Sequence, residues 1–272
     1  MKKSSSGVRG SRTRLATIVI LAAVVGYGYY QRTTQVLPQA AIHFLEDVRL
    51  PQPDEKVLVF SPHPDDETIG AGGYIRESVD RRAEVRIILV TDGNKHGLES
   101  QRYHEFSNAA RILGVKPRDL IFLNHPDGHL KNCNKTKLYA QFKGEIDSFA
   151  PTIVIYPNPA DHHPDHSVVG QIVEAVLDAQ PDRPTAYGYL VHHARFPQPK
   201  KLRPRLYLLP PIALATLDRE WYRLPLPKSV EDRKSDAIRV YRTQLRVPIL
   251  RSLLLSSIRQ NELFCAGEAG GS

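Results

Sequence analysis

Four short, mainly apolar runs recur along this chain, at 56–60, 85–90, 119–123 and 152–156. Helical periodicity separates each from the next, near 70–80, 101–113 and 135–149, and returns at 166–179. Strands joined by single helices form βαβ units, with right-handed crossovers and a mostly parallel sheet. Gly114 sits where the 101–113 helix needs a C-cap. The pattern therefore predicts an α/β domain whose central strands are covered on both faces. A hydrophobic share of 41% suffices to bury such a core.

The flanks read differently. Residues 1–14 are expected to be a basic N-terminal tail, followed at 15–31 by a charge-free segment that ends in Tyr27, Tyr29 and Tyr30. A basic start, an apolar middle and interfacial tyrosines predict a transmembrane anchor, with a cleaved signal peptide as the alternative. Either places the following domain on the exported side: single-pass in the membrane, or secreted or periplasmic after cleavage. Residues 32–55 read as a linker, partly helical from Ala40 to Val48, and 266–272 as a flexible tail. Between them, 56–265 is one domain. Past residue 180 prolines crowd the chain, with strand candidates at 185–191 and 205–209 and basic helices at 228–245 and 249–260. This part is expected to extend and cover the sheet.

The formal charge of +8 suggests nucleic acid at first sight. Five of the 37 basic residues, however, precede the apolar segment, and all 29 acidic residues lie from Glu46 onward. No basic patch interleaved with aromatic side chains occurs, so no nucleic-acid partner is expected. Cys133 and Cys265 are far apart and in no CxxC spacing, which argues against a thiolate metal site.

Chemistry-bearing residues concentrate at two strand ends. Ser61-Pro-His-Pro-Asp-Asp-Glu67 follows the first run, and His163-Pro-Asp-His166 follows the fourth. Open α/β sheets bind ligands at the carboxyl ends of their strands. Residues three apart on a tight turn or first helical turn point the same way, as His63 with Asp66 and His163 with His166 would. Imidazole and carboxylate are donors that zinc accepts, and a two-His, one-carboxylate set also accepts iron or another divalent ion. One Asp-Asp-Glu alone would be read as a helix N-terminus favoured by the macrodipole. Two clusters, each combining imidazole with carboxylate, favour a metal site.

The paired motifs resemble the PIG-L/LmbE-like family of zinc-dependent N-acetylglucosaminyl deacetylases. The similarity extends to Val90-Thr-Asp-Gly93, Arg102 with Glu105, Asn108-Ala-Ala-Arg-Ile-Leu-Gly114 and Pro126-Asp-Gly128. By that resemblance the fold is a Rossmann-like three-layer sandwich, and His63, Asp66 and His166 are the metal ligands. Asp65 would be the general base, His163 the imidazolium that stabilises the tetrahedral intermediate or protonates the amine, and Asp165 an orienting carboxylate. Asp92, Arg102, Glu105 and Asp127 are the expected substrate-side residues, although Arg102 and Glu105 by spacing alone read as a surface ion pair. The implied reaction is hydrolysis of an N-acetyl group on an amino sugar or glycoconjugate. Alternatives are amide hydrolysis on another acylamino compound, or a non-catalytic carbohydrate-binding module. Gly70-Ala-Gly-Gly73 lacks dinucleotide-binding spacing and reads as close helix–sheet packing.

Overall fold

A computed structural model of the chain describes residues 6–94, 96–194, 196–216 and 219–266. Helix α1 (Ser6–Thr34) leads, by way of a 3-10 turn at Gln39–Phe44, into the two-residue strand β1 (Glu46–Asp47). Then β2 (Lys56–Ser61), α2 (Asp66–Asp80), β3 (Glu84–Thr91), α3 (Glu99–Leu113), β4 (Leu120–His125) and α4 (Lys135–Phe149) alternate. They are followed by β5 (Ile153–Pro157), α5 (Pro164–Asp178) and β6 (Thr185–Tyr189). The chain closes with β7 (Trp221–Pro225), α6 (Lys228–Arg239), α7 (Arg242–Leu245), α8 (Pro248–Ser256) and β8 (Asn261–Ala266).

The strands form one sheet in the order β1-β7-β8-β6-β5-β2-β3-β4. From β6 to β4 every pairing is parallel; β8 runs antiparallel to both β6 and β7. Alternate side chains of a strand face opposite ways. Val57 and Val59 thus pack with Tyr74, Phe106 and Tyr241 beneath α2, α3 and α6, while Leu58 and Phe60 pack with Phe142, Val169 and Val173 beneath α4 and α5. The result is the expected three layers. Gly70 is needed where α2 meets the sheet, because a Cβ there would lie 2.3 Å from a ring carbon of Tyr189.

Three expectations past residue 180 need correction. Residues 205–209 form no strand, whereas β7 and β8 complete the sheet. The helix expected over 228–245 breaks at Val240–Tyr241, where Tyr241 turns inward, fully buried, and its hydroxyl donates to Glu67. That expected over 249–260 ends at Ser256, ahead of β8. From 267 onward, the expected tail lies outside the described residues.

The N-terminal expectation is overturned. Residues 15–31 do fall in a helix, but no helix among the described residues is long and apolar enough to cross a membrane. The strongly apolar run is only Leu15–Val25. At 1.5 Å per residue it extends about 16 Å, roughly half of a hydrocarbon core about 30 Å thick. Beyond Val25, the segment Gly26-Tyr-Gly-Tyr-Tyr-Gln31 is too polar to prolong it. The single-pass, exported placement expected from this segment is withdrawn, and with it the membrane as a partner.

Candidate metal centre

Strand β2 lies between β3 and β5, so the chain leaving β2 and the chain leaving β5 pass to opposite faces of the sheet. A crevice opens at such a switch point. Into it β2 sends the turn Pro62–Asp65, which opens α2, and β5 sends 158–163, which opens α5. Pro164 occupies the first position of α5, where its missing N–H costs nothing.

Three donor atoms converge there. His63 Nδ1 is 3.0 Å from Asp66 Oδ2, His166 Nε2 is 2.9 Å from the same oxygen, and the two nitrogens are 3.3 Å apart. All three side chains are buried. An ion holding donors at about 2.0–2.1 Å separates them by about 2.9–3.4 Å, depending on geometry, so this triangle fits one divalent ion. Each imidazole is also backed by a carboxylate. Asp165 Oδ2 lies 3.1 Å from His63 Nε2 and is itself held by the amides of Gly128 (2.7 Å) and, through Oδ1, Leu130 (3.1 Å). Asp161 Oδ2 lies 3.4 Å from His166 Nδ1, a buried nitrogen without a hydrogen bond. Carboxylates behind ligating histidines fix ring orientation and raise basicity.

The electrostatics agree with the geometry. Burial alone would lower the His63 pKa, but hydrogen bonding to Asp165 and Asp66 lifts it to about 9. His166 is likewise raised well above its ordinary value, with Asp66 and Asp161 outweighing burial. Burial would raise Asp66, yet the two imidazoles hold it well below the carboxylate range. Buried carboxylates outnumber the imidazoles here, leaving the cluster short of positive charge, which a divalent cation supplies.

Asp65 stands at the N-cap of α2 with φ +135°, a region disfavoured for a side-chain-bearing residue. Unlike most N-cap aspartates, its carboxylate caps nothing. Instead it borders a cavity of about 270 Å³ beside the cluster, 3.6 Å from Arg102 Nη2. Burial pushes its pKa up to about 8 against the pull of Arg102. His163, the N-cap of α5, borders the same cavity, its ring 4.6 Å from that of His63. The Asp165 amide donates to His163 Nδ1 at 3.3 Å, which leaves Nε2 to carry the proton in the neutral ring. Burial, then the charge on His63 and His166, lowers its pKa to about 4.

The structure treats the remaining expected residues unequally. Arg102 is buried and borders the cavity, donating to Asp127 Oδ2 (3.2 Å), Pro64 O (2.8 Å) and Gly93 O (3.3 Å). Asp127 borders it too, its Oδ1 3.4 Å from His63 Nε2. Asp92 instead organises the loop, accepting from the amides of Asn94 and Asp127. Glu105 is neither Arg102's partner nor at the cavity: it clamps α7, accepting from the Thr243 amide (2.9 Å) and hydroxyl (2.6 Å). Sequence reasoning missed Asp161, which ties together the His163 amide, the Val191 and His192 amides and the His166 ring. His192 emerges past β6 and borders the cavity, within 4.8 Å of donor atoms of Asp66 and His166. Unlike Asp161, it is marked in the sequence, because it directly follows the strand candidate at 185–191.

A buried imidazole–carboxylate cluster at the switch point of a doubly wound sheet defines a metal-site α/β protein. Residues 58–177 match the family model described as PIG-L: GlcNAc-PI de-N-acetylase, so this segment is similar to that family. Among curated relatives, the chain is 34% identical over 135 residues to the diacetylchitobiose deacetylase of Thermococcus kodakarensis, covering 45% of this chain and 49% of that one. It is 29% identical over 151 residues to a probable N-acetyl-alpha-D-glucosaminyl L-malate deacetylase 2 of Bacillus anthracis, covering 50% and 66% respectively. The alignments thus span about half to two thirds of those relatives. Among solved structures, the N,N'-diacetylchitobiose deacetylase from Pyrococcus horikoshii superposes with a TM-score of 0.55 over 78% of this chain and 84% of that one, at 24% identity. This last likeness is one of fold.

Proposed function

We propose that this protein is a metal-dependent deacetylase that hydrolyses the N-acetyl group of an N-acetylglucosamine-type amino sugar. The observation that carries the reading is the donor triangle of His63, Asp66 and His166, with a carboxylate and an imidazole uncommitted beside it. Support for the substrate class comes from the relatives, whose names place the removed acetyl group on N-acetylglucosamine derivatives. The domain is taken to run over 56–265.

His63, Asp66 and His166 would hold the ion, with zinc the first choice for two imidazoles and a carboxylate. When bound, it supplies Lewis acidity toward the acetamide oxygen and lowers the pKa of water. Asp65 accepts the proton of the attacking water, as a carboxylate raised toward neutrality is suited to do. His163 donates its Nε2–H to the oxygen on which charge develops. The amine leaves after protonation from Asp65, and acetate is released. Arg102 holds Asp65 and Asp127 in register, and Asp165 fixes the His63 ring.

Acetate release from N-acetylglucosamine glycosides by zinc-loaded protein tests the reading. Asp65→Asn should lower kcat by about 10²–10⁴ with zinc still bound. Unimpaired turnover in that variant would remove Asp65 as the base. No turnover by the unaltered protein on any acetamido sugar would remove the function.

A further inference from the structure

The reaction cavity is small. At about 270 Å³ it falls just below the range of about 300–1,000 Å³ usual for ligand clefts. It has room for a single sugar ring, and whatever that sugar is attached to must extend beyond it. Directly adjoining is a larger cavity of about 590 Å³. The two share His192, Leu250 and Leu253 as walls, so the second is the cavity next to the first on that side.

The second cavity differs sharply in chemistry. Beyond the shared walls it is lined by Ala194, Phe196, Pro248 and Ile249, with His162, His193, Ser252 and Lys200 as its polar side chains, and the Lys200 ammonium donates to the Phe196 carbonyl at 2.7 Å. Ile249 is 81% exposed, on the first turn of α8, although nothing in that helix's own packing requires an apolar residue there. Most of the surface the cavity presents is nevertheless apolar, so an apolar group gains more there than a sugar, a malate or an inositol does. Burying unpaired hydroxyls is costly, whereas apolar surface gains by contact with it.

We infer that this second cavity is the subsite for the group carried by the amino sugar, and that the group it takes is apolar: an alkyl or aryl aglycone. This rests on the deacetylase reading and narrows its substrate class. The N-acetylglucosamine ring occupies the inner cavity, with its acetamide at the cluster, and the aglycone lies along Leu250, Leu253 and Ile249 toward solvent. The side chains of α8 thus select among glycosides without touching the reacting atoms.

Octyl and methyl 2-acetamido-2-deoxy-glucosides, compared below the micellar concentration, provide the test. The expected kcat/KM ratio is at least tenfold in favour of the octyl glycoside. In Ile249→Asp it falls to about threefold or less while the methyl glycoside is turned over as before. An aspartate on the first turn of α8 suits the helix dipole, so the fold is retained. A ratio near one, or a ratio unchanged by Ile249→Asp, overturns the inference. Titration calorimetry with the corresponding octyl and methyl 2-amino-2-deoxy-glucosides separates this from the deacetylase reading. If neither acetylated glycoside is hydrolysed, the reaction is wrong. Tighter binding of the octyl compound, by tenfold and abolished in Ile249→Asp, would still establish the subsite, and equal binding would refute it.

Discussion

Replacing Asp65 by glycine should make the protein more stable and nearly inactive. The residue holds φ +135° without the excuse of a missing side chain, and its carboxylate makes no cap hydrogen bond to α2. Backbone strain of this kind costs about 1–3 kcal/mol. Glycine relieves it, at an entropic cost of about 0.5–1 kcal/mol relative to alanine. Arg102 keeps Asp127, Pro64 O and Gly93 O as partners, so no buried cation is abandoned. Removing the side chain also removes a buried carboxyl whose pKa burial has raised, and Asp65→Asn isolates that effect, because asparagine keeps the strained backbone. The difference between the two variants should therefore be about 1 kcal/mol in favour of glycine, or about 2–4 °C in Tm for a domain of this size. Urea unfolding of chelator-treated protein reads it without interference from bound metal. If Asp65→Gly is no more stable than Asp65→Asn, the strain is not stored at this position and its link to function fails. A stabilising change that abolishes turnover is the expected signature of a residue kept for chemistry.

Two further outcomes rest on particular contacts. Asp165→Asn weakens the carboxylate behind His63 and turns an NH2 toward one of the Gly128 and Leu130 amides, so zinc affinity, measured by competition with a chromophoric chelator, should drop about 10–100-fold. Lys234 and Glu262 form a buried ion pair at 2.6 Å, with Glu262 also accepting from the Gly73 and Tyr74 amides. Lys234→Met should cost about 3–5 kcal/mol in urea unfolding by stranding that carboxylate, and Lys234→Met with Glu262→Gln should recover only part of it, because the glutamine NH2 then faces one of the two amides. An equal loss in both would mean that packing, not charge, holds this contact.

The parallel core of the fold was legible because short apolar runs and helical periodicity are local signals. The four strands anticipated at 56–60, 85–90, 119–123 and 152–156 are β2, β3, β4 and β5 within a residue or two at each end. Features that depend on distant partners were not legible. Strand β8 exists because β6 and β7 flank it, and the helix break at Tyr241 exists because Glu67, fixed near β2, draws in its hydroxyl. The N-terminal segment misled for a different reason: freedom from charge extends further along it than strong hydrophobicity does. At the site, His63, Asp66 and His166 could be recognised from spacing after strands, together with the family resemblance. Glu105 could not be assigned that way. Its position on α3 beside Arg102 says nothing of Thr243, which α7 brings from far along the chain. Asp161 was hidden among ordinary loop residues, since its work is to fix backbone amides.

Most direct for the central claim is the coordination of the bound ion itself. X-ray absorption on stoichiometrically zinc-loaded protein should report one site with two imidazoles, one carboxylate and a solvent oxygen at about 2.0–2.1 Å. The imidazole count should fall to one in His166→Ala. A site without imidazole scattering, or one unchanged by that substitution, would contradict the convergence of β2 and β5 on a single ion.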